Sequence, residues 1–149
     1  MMRLLVMKIF LGGTCNESTW RNKIIEYLRE AKIDYFNPVI DNWTPECMAN
    51  EIKEKKACDF CLYTITPKMT GVYSIAEVVD DSNKRPNKTI LVLLREDHSG
   101  WPRGQLGKLE FTNSQWKSLN LVAEMVRNNG GVVFEDLLSA VNWIRSKEF

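Results

Sequence analysis

The segment MTGVYSIAEVVDD, Met69 to Asp81, sets one carboxylate, Glu77, near the start of an apparent helix whose other inward residues are apolar. Ser74-Ile75-Ala76-Glu77 fits a capping box, in which a serine hydroxyl and a glutamate carboxylate each satisfy a free backbone donor of the first turn. On that reading Ser74 is a cap. A carboxylate held ionised by the helix dipole and by amide donors is also what a glycosyl-accepting nucleophile must be. The two roles do not exclude each other.

Two further clusters sit where strands are expected to end. Gly12-Gly13-Thr14 combines freedom of backbone angle with free amides, which favour an anion or a hydroxyl-rich ligand. Neither a Gly-Lys-Ser/Thr phosphate loop nor a GxGxxG fingerprint is present, and a tight turn explains the pair equally well. In NPVIDNW, the amides and acid Asn37, Asp41 and Asn42 stand beside Trp43. That mixture suits edge recognition and stacking of a nucleobase, and it also suits an ordinary turn followed by a core aromatic. Glu51, in NEIKEKK, is placed to pair with Lys55 at i,i+4 on a solvated helix face.

The four cysteines are Cys15, Cys47, Cys58 and Cys61. Cys58 and Cys61 have half of a zinc-site spacing, but no second close pair follows and His98 is the sole histidine, so no metal is expected. Reduced, partly buried thiols are the simpler reading. Arg95, Glu96, Asp97 and His98 read as a polar loop, and Trp101 as a pocket cover or a contact between chains.

The elements that must position these residues alternate. LLVMKIFL is a strand, WRNKIIEYLREAK a helix with Trp20, Ile24, Ile25, Tyr27 and Leu28 at helical spacing, and IDYFNP a short strand stopped by Pro38. TPECMANEIKEKKAC is a helix with Thr44 as cap and Pro45 at its first position. DFCLYTIT is a strand, PKMTGVY a loop and SIAEVVDDSNK a helix; KTILVLL is the clearest central strand. After a loop-rich stretch come the helix QWKSLNLVAEMVRNN, a Gly130-Gly131 stop, the strand VVFE and the helix DLLSAVNWIRSKEF. Strands alternating with helices imply a parallel, five-stranded, doubly wound sheet covered on both faces: an α/β three-layer α/β/α sandwich of flavodoxin-like type. Ligands of such folds lie beyond the carboxyl ends of the strands.

The 149 residues carry 20 Lys and Arg against 19 Asp and Glu, a net charge of +1 that lacks the basic footprint of a duplex-binding protein. No stretch approaches the ~20 apolar residues of a membrane span. MMRLLVMKIFLGG lacks a small-x-small cleavage site and reads as the first strand, with Met7 a second potential start, so a cytoplasmic protein is expected. One domain over residues 1–149 is expected, with no cofactor. Trp116 and Trp143 exceed what a small core needs, from which a homo-oligomer is expected.

The order and spacing of KIFLGG, YFNPVIDNW, ACDF and KMTGVYSIAEVVDDSNKRPNKTILVLL, from Lys8 to about Leu94, resemble the nucleoside 2-deoxyribosyltransferase-like proteins, in particular a compact bacterial and phage branch with an SIAE box. The resemblance implies that Glu77 is the nucleophile and that Gly12 and Gly13 line the sugar site. It also implies that Glu51, eight residues before Asp59, handles the leaving base where other members have aspartate. Apart from the resemblance, Thr14, Asn37, Asp41, Trp43, Gly71 and Ser74 are expected to bind substrate, together with Asp59, which also reads as a strand-start residue closing a turn. Two positions depart from the pattern. Gly71 stands where an aspartate precedes the nucleophile, and Phe10 where a tyrosine hydroxyl touches it.

The implied chemistry is a double displacement at the anomeric carbon of a 2-deoxynucleoside, with transfer to a second base. Alternatives are a 2-deoxynucleoside 5′-monophosphate N-glycosidase, with Gly12, Gly13 and Thr14 amides on the phosphate, and a non-catalytic nucleotide-binding or assembly module. The implied partner is a small nucleoside or nucleotide, not a nucleic acid polymer or a membrane.

Overall fold

The computed structural model describes residues 6–15, 18–40, 44–99 and 109–147. Asp41, Asn42, Trp43 and Trp101 lie outside the described residues.

Runs of β-branched and leucine side chains form a parallel sheet of β1 (Lys8–Gly13), β2 (Asp34–Phe36), β3 (Phe60–Ile65), β4 (Thr89–Leu93) and β7 (Val132–Phe134). The strand order is β2-β1-β3-β4-β7. This is the doubly wound order, which reverses direction between β1 and β3 and opens a crevice at that point. Two further strands, β5 (Glu96–Asp97) and β6 (Leu109–Glu110), make a small antiparallel ribbon in the stretch read as loop. Two-residue strands fall below any sequence periodicity.

Alternate strand residues point to opposite faces, and two cores result. Ile9, Leu11, Leu62, Ile90 and Val92 pack with α1 (Trp20–Glu30) and α5 (Leu137–Arg145). Phe10, Cys61, Tyr63, Leu91 and Leu93 pack with α3 (Tyr73–Lys84) and α4 (Asn113–Asn129). On this second face also lies α2 (Pro45–Ala57), whose Lys55 sits over the rings of Phe10 and Tyr63 at 5.5 and 5.3 Å. Thr44 caps α2 as the sequence indicates, its hydroxyl accepting from the Cys47 amide at 3.3 Å. Trp143 packs edge-on against Phe60 at 5.4 Å and Trp116 stacks on Phe111 at 6.2 Å, so both tryptophans have partners within the chain.

The helix bearing Glu77 does not start as its sequence indicates. Val72 is the N-cap residue, no side chain caps the helix, and Tyr73 is its first residue. The Ile75 amide already bonds to the Val72 carbonyl at 3.0 Å, so Ser74 lies inside the helix and does not cap it. Glu77 falls past the first turn, and its carboxylate is held from α2 rather than by the helix end. A true capping box occurs at Thr112 and Gln115, opening α4.

Candidate active site

Gly12 and Gly13 belong to β1, paired with Tyr63 and Thr64, so the loop begins only at Thr14. The reason is the closeness of β3. A Cβ on Gly12 would come within 2.6 Å of the Tyr63 ring, and one on Gly13, at φ +116°, within 2.1 Å of the Thr64 carbonyl. Thr14 then ties the two strand ends together. Its amide donates to Thr64 O at 2.9 Å and its hydroxyl accepts from the Thr66 amide at 3.0 Å. The Thr14 amide is therefore occupied by the fold. Arg21, buried at the start of α1, donates to the carbonyls of Leu11, Gly13 and Thr14 and braces the turn.

Beyond these strand ends lies a cleft of about 530 Å³, a volume within the range of small-molecule sites. β1 and its turn supply Phe10, Gly12, Gly13, Thr14 and Cys15; the segment after β2 supplies Pro38, Val39 and Ile40. Glu51 enters from α2, and Gly71, Ser74 and Glu77 come from the β3–α3 connection and α3. The structure thus brings Glu77, Glu51, Gly12, Gly13, Thr14, Gly71 and Ser74 to one wall. Asn37 is not among the lining residues; its side chain closes a turn by accepting from the Val39 amide at 3.1 Å. Asp59 is displaced further. It lies at the amino end of β3, the opposite edge of the sheet, where it accepts from the Lys8 amide at 2.8 Å. The substrate-binding role expected of Asp59 does not fit that position, whereas its strand-start reading does.

Lys55 joins Glu77 to the fold. Its ammonium lies 3.2 Å from Glu77 Oε2 and 3.2 Å from Asp81 Oδ2. The i,i+4 pairing with Glu51 that the sequence indicates gives way to this bridge from α2 to α3. Burial alone would lower the Lys55 ammonium, but Asp81 and then Glu77 outweigh it and hold it above its ordinary value. Asp81 is almost wholly buried; it accepts from the Tyr63 hydroxyl and faces Arg85 Nε at 3.7 Å. Burial, with Asp81 next, pushes the Tyr63 phenol upward, so Tyr63 stays a donor. Tyr63 and Asp81 carried no signal in the local sequence, and Lys55 only the misleading i,i+4 pairing, because their partners come from other elements.

Glu51 has a different environment from Glu77. Burial first, and the Glu77 carboxylate second, push its carboxyl up, against the opposing pull of Lys55. A carboxyl biased toward its protonated form beside one ion-paired to a lysine is the asymmetry that divides acid from nucleophile.

At Gly71 a side chain would meet nothing within 4 Å, so the missing aspartate leaves open space. Phe10 is buried and stacks on Phe36 at 5.8 Å, supplying a ring face where the resemblance places a hydroxyl.

The family model described as nucleoside 2-deoxyribosyltransferase-like matches residues 6–97, from the start of β1 through β5. The chain belongs to the nucleoside 2-deoxyribosyltransferase-like family. No curated protein matches it. The family is generally enzymatic, and the matched stretch of this nucleoside 2-deoxyribosyltransferase-like chain carries every described residue of the cleft wall.

Outside the cleft, Asp97 is buried in the loop read as ordinary polar surface. Burial would raise its carboxyl, but hydrogen bonds from Ser18, Ser99 and Thr66 together hold it below the usual range. The thiols of Cys58 and Cys61 are buried and free, and burial pushes them up to about 12 and about 11. Among the described residues, no helix is long and apolar enough to cross a membrane.

Proposed function

We propose that the protein cleaves the N-glycosidic bond of 2-deoxynucleosides and passes the deoxyribosyl group on, with Glu77 as nucleophile and Glu51 as acid and base. The observation that carries this reading is the presence of two carboxyl groups in one cleft with different surroundings, Glu77 ion-paired to Lys55 at 3.2 Å and Glu51 pushed toward its neutral form by burial and by the nearby Glu77 carboxylate.

In the first step a Glu77 oxygen bonds to C1′ as the C1′–N bond breaks. The electron pair goes to the base nitrogen, which takes its proton from Glu51. In the second step another base, or water, attacks C1′ and gives its proton to the Glu51 carboxylate. The C1′–O bond returns its electrons to Glu77. The transition states have oxocarbenium character, as in retaining glycosidases. A 2-deoxy sugar suits them because no 2′-hydroxyl withdraws electrons from the cation.

The test is chromatography of free base released from a panel of deoxynucleosides and deoxynucleotides by wild type and Glu77→Ala. Release by wild type that falls at least about 10³-fold in Glu77→Ala is expected. Equal release from both, or none from either, contradicts the reading.

A second reading, hydrolysis of a deoxynucleoside 5′-monophosphate, is favoured by Arg21. This buried guanidinium lines the cleft with no carboxylate in ion-pair range among the described residues. Adding a second free base separates the two, since only a transferase converts it to a new deoxynucleoside. Ligand-induced melting shifts without released base would favour a binding module instead.

A further inference from the structure

We propose that Lys55 is the positioning residue of the Glu77 nucleophile. The proposal rests on the glycosidic reading of Glu77 given above.

Glu77 and Asp81 stand one turn apart on α3, so a single ammonium can touch both, and Lys55 does so at 3.2 Å from each. Asp81 is the fixed end of this arrangement, held by the Tyr63 hydroxyl and by Arg85. Below the ammonium are the faces of Phe10 and Tyr63, both within the range of cation–π attraction. The ammonium is thereby fixed from three directions. Phe10 presents a ring face to the cation that reaches the Glu77 carboxylate.

A fastening role alone would need only the buried Asp81. Lys55 is instead shared with Glu77, whose side chain is 26% exposed and lines the cleft. It touches Oε2 only; Oε1 has no hydrogen-bond or ion-pair partner among the described residues. One oxygen is thus anchored and the other is left for C1′. The same cation stabilises the carboxylate when the second displacement regenerates it.

Lys55→Met and Lys55→Arg in the full chain, with kcat and KM for base release followed across pH, test the assignment. The groups facing the ammonium are Glu51 on α2, Glu77 and Asp81 on α3 with Arg85 beyond it, and Tyr63 and Cys61 on β3. In Lys55→Met, kcat should fall about 10²-fold with KM changed less than about threefold. Both limbs of the pH profile should move to higher pH, because loss of a cation favours the protonated form of each neighbouring carboxyl. Lys55→Arg should recover at least about tenfold of the lost kcat, since it restores the charge. Unaltered kcat in Lys55→Met overturns the proposal while leaving the glycosidic reading intact. Equal losses in both variants with unmoved pH limbs also overturn it, reducing Lys55 to a structural tie. Absence of base release by wild type overturns the glycosidic reading and this proposal with it.

Discussion

The crossover helix α1 buries Trp20, Ile24 and Leu28 against one face of the sheet, whereas α2, crossing over the other face, buries no residue at all. Met48 and Ile52 of α2 are half exposed. What holds α2 is ionic: Lys55 to Asp81 and Glu77, and Lys8 to Glu54 at 2.7 Å. Apolar burial fastens a helix without regard to charge state. Charged fastening keeps titratable groups at a partly wet surface, where chemistry can use them. The difference explains why both carboxyl groups assigned to the reaction lie on the α2–α3 side of the sheet while the α1–α5 side is a plain core.

The largest change should come from breaking the ionic anchor. Asp81→Ala leaves Lys55, Arg85 and the Tyr63 hydroxyl without their shared acceptor in a buried setting, a loss of about 4 kcal/mol by urea unfolding. If Asp81→Ala is as stable as wild type, α2 is not fastened by charge. Next, Ile24→Ala opens a cavity under α1 and should cost about 3 kcal/mol, by the same amount at neutral and alkaline pH. A strongly pH-dependent cost there would blur the contrast between the faces.

Alkaline titration sharpens it. The buried thiols Cys58 and Cys61 both belong to the α2–α3 face, with ionisation pushed up to about 12 and about 11 from an ordinary value of 9.0. A group raised on folding contributes its stability fully below its unfolded value and loses it as pH rises through the folded one. Stability should therefore decline from about pH 9 upward, and Cys58→Ala with Cys61→Ala should flatten that decline, measured as urea midpoints from pH 8 to 11. The smallest effect belongs to Ile52→Ser. Exposed on α2, it should shift stability by less than about 0.5 kcal/mol, whereas an apolar docking of α2 would predict a clear loss.

The same contrast separates what was legible in the sequence from what was not. Continuous apolar runs such as KTILVLL and the helical spacing of Trp20, Ile24 and Leu28 announce the sheet and the α1 layer, because burial on a fixed period is written locally. The strand-end rule put Glu77 and the glycine pair at one edge and the resemblance added Glu51; one cleft is lined by all four. The ionic face was misread. Local rules paired Lys55 with Glu51 four residues away, yet its partners are 22 and 26 residues further along, on another helix. Ser74 and Glu77 spell a capping box, but the chain turns helical at Tyr73, two residues too early for Ser74 to cap it. The matching pattern at Thr112 and Gln115 does form, since the backbone there enters the helix at the threonine. Asp59 immediately precedes β3, which starts one residue later than the sequence indicates, and that placement puts it at the edge of the sheet away from the cleft.

The central claim is that the carboxylate bridged by Lys55 becomes covalently bonded to the sugar. Acid quenching of wild type during turnover of a deoxynucleoside, followed by peptide mass mapping, tests it most directly. The account predicts one added 2-deoxyribosyl group on the peptide containing Glu77, absent in Glu77→Ala. Base released at the same rate with that peptide unmodified, or with the sugar on another residue, would contradict it.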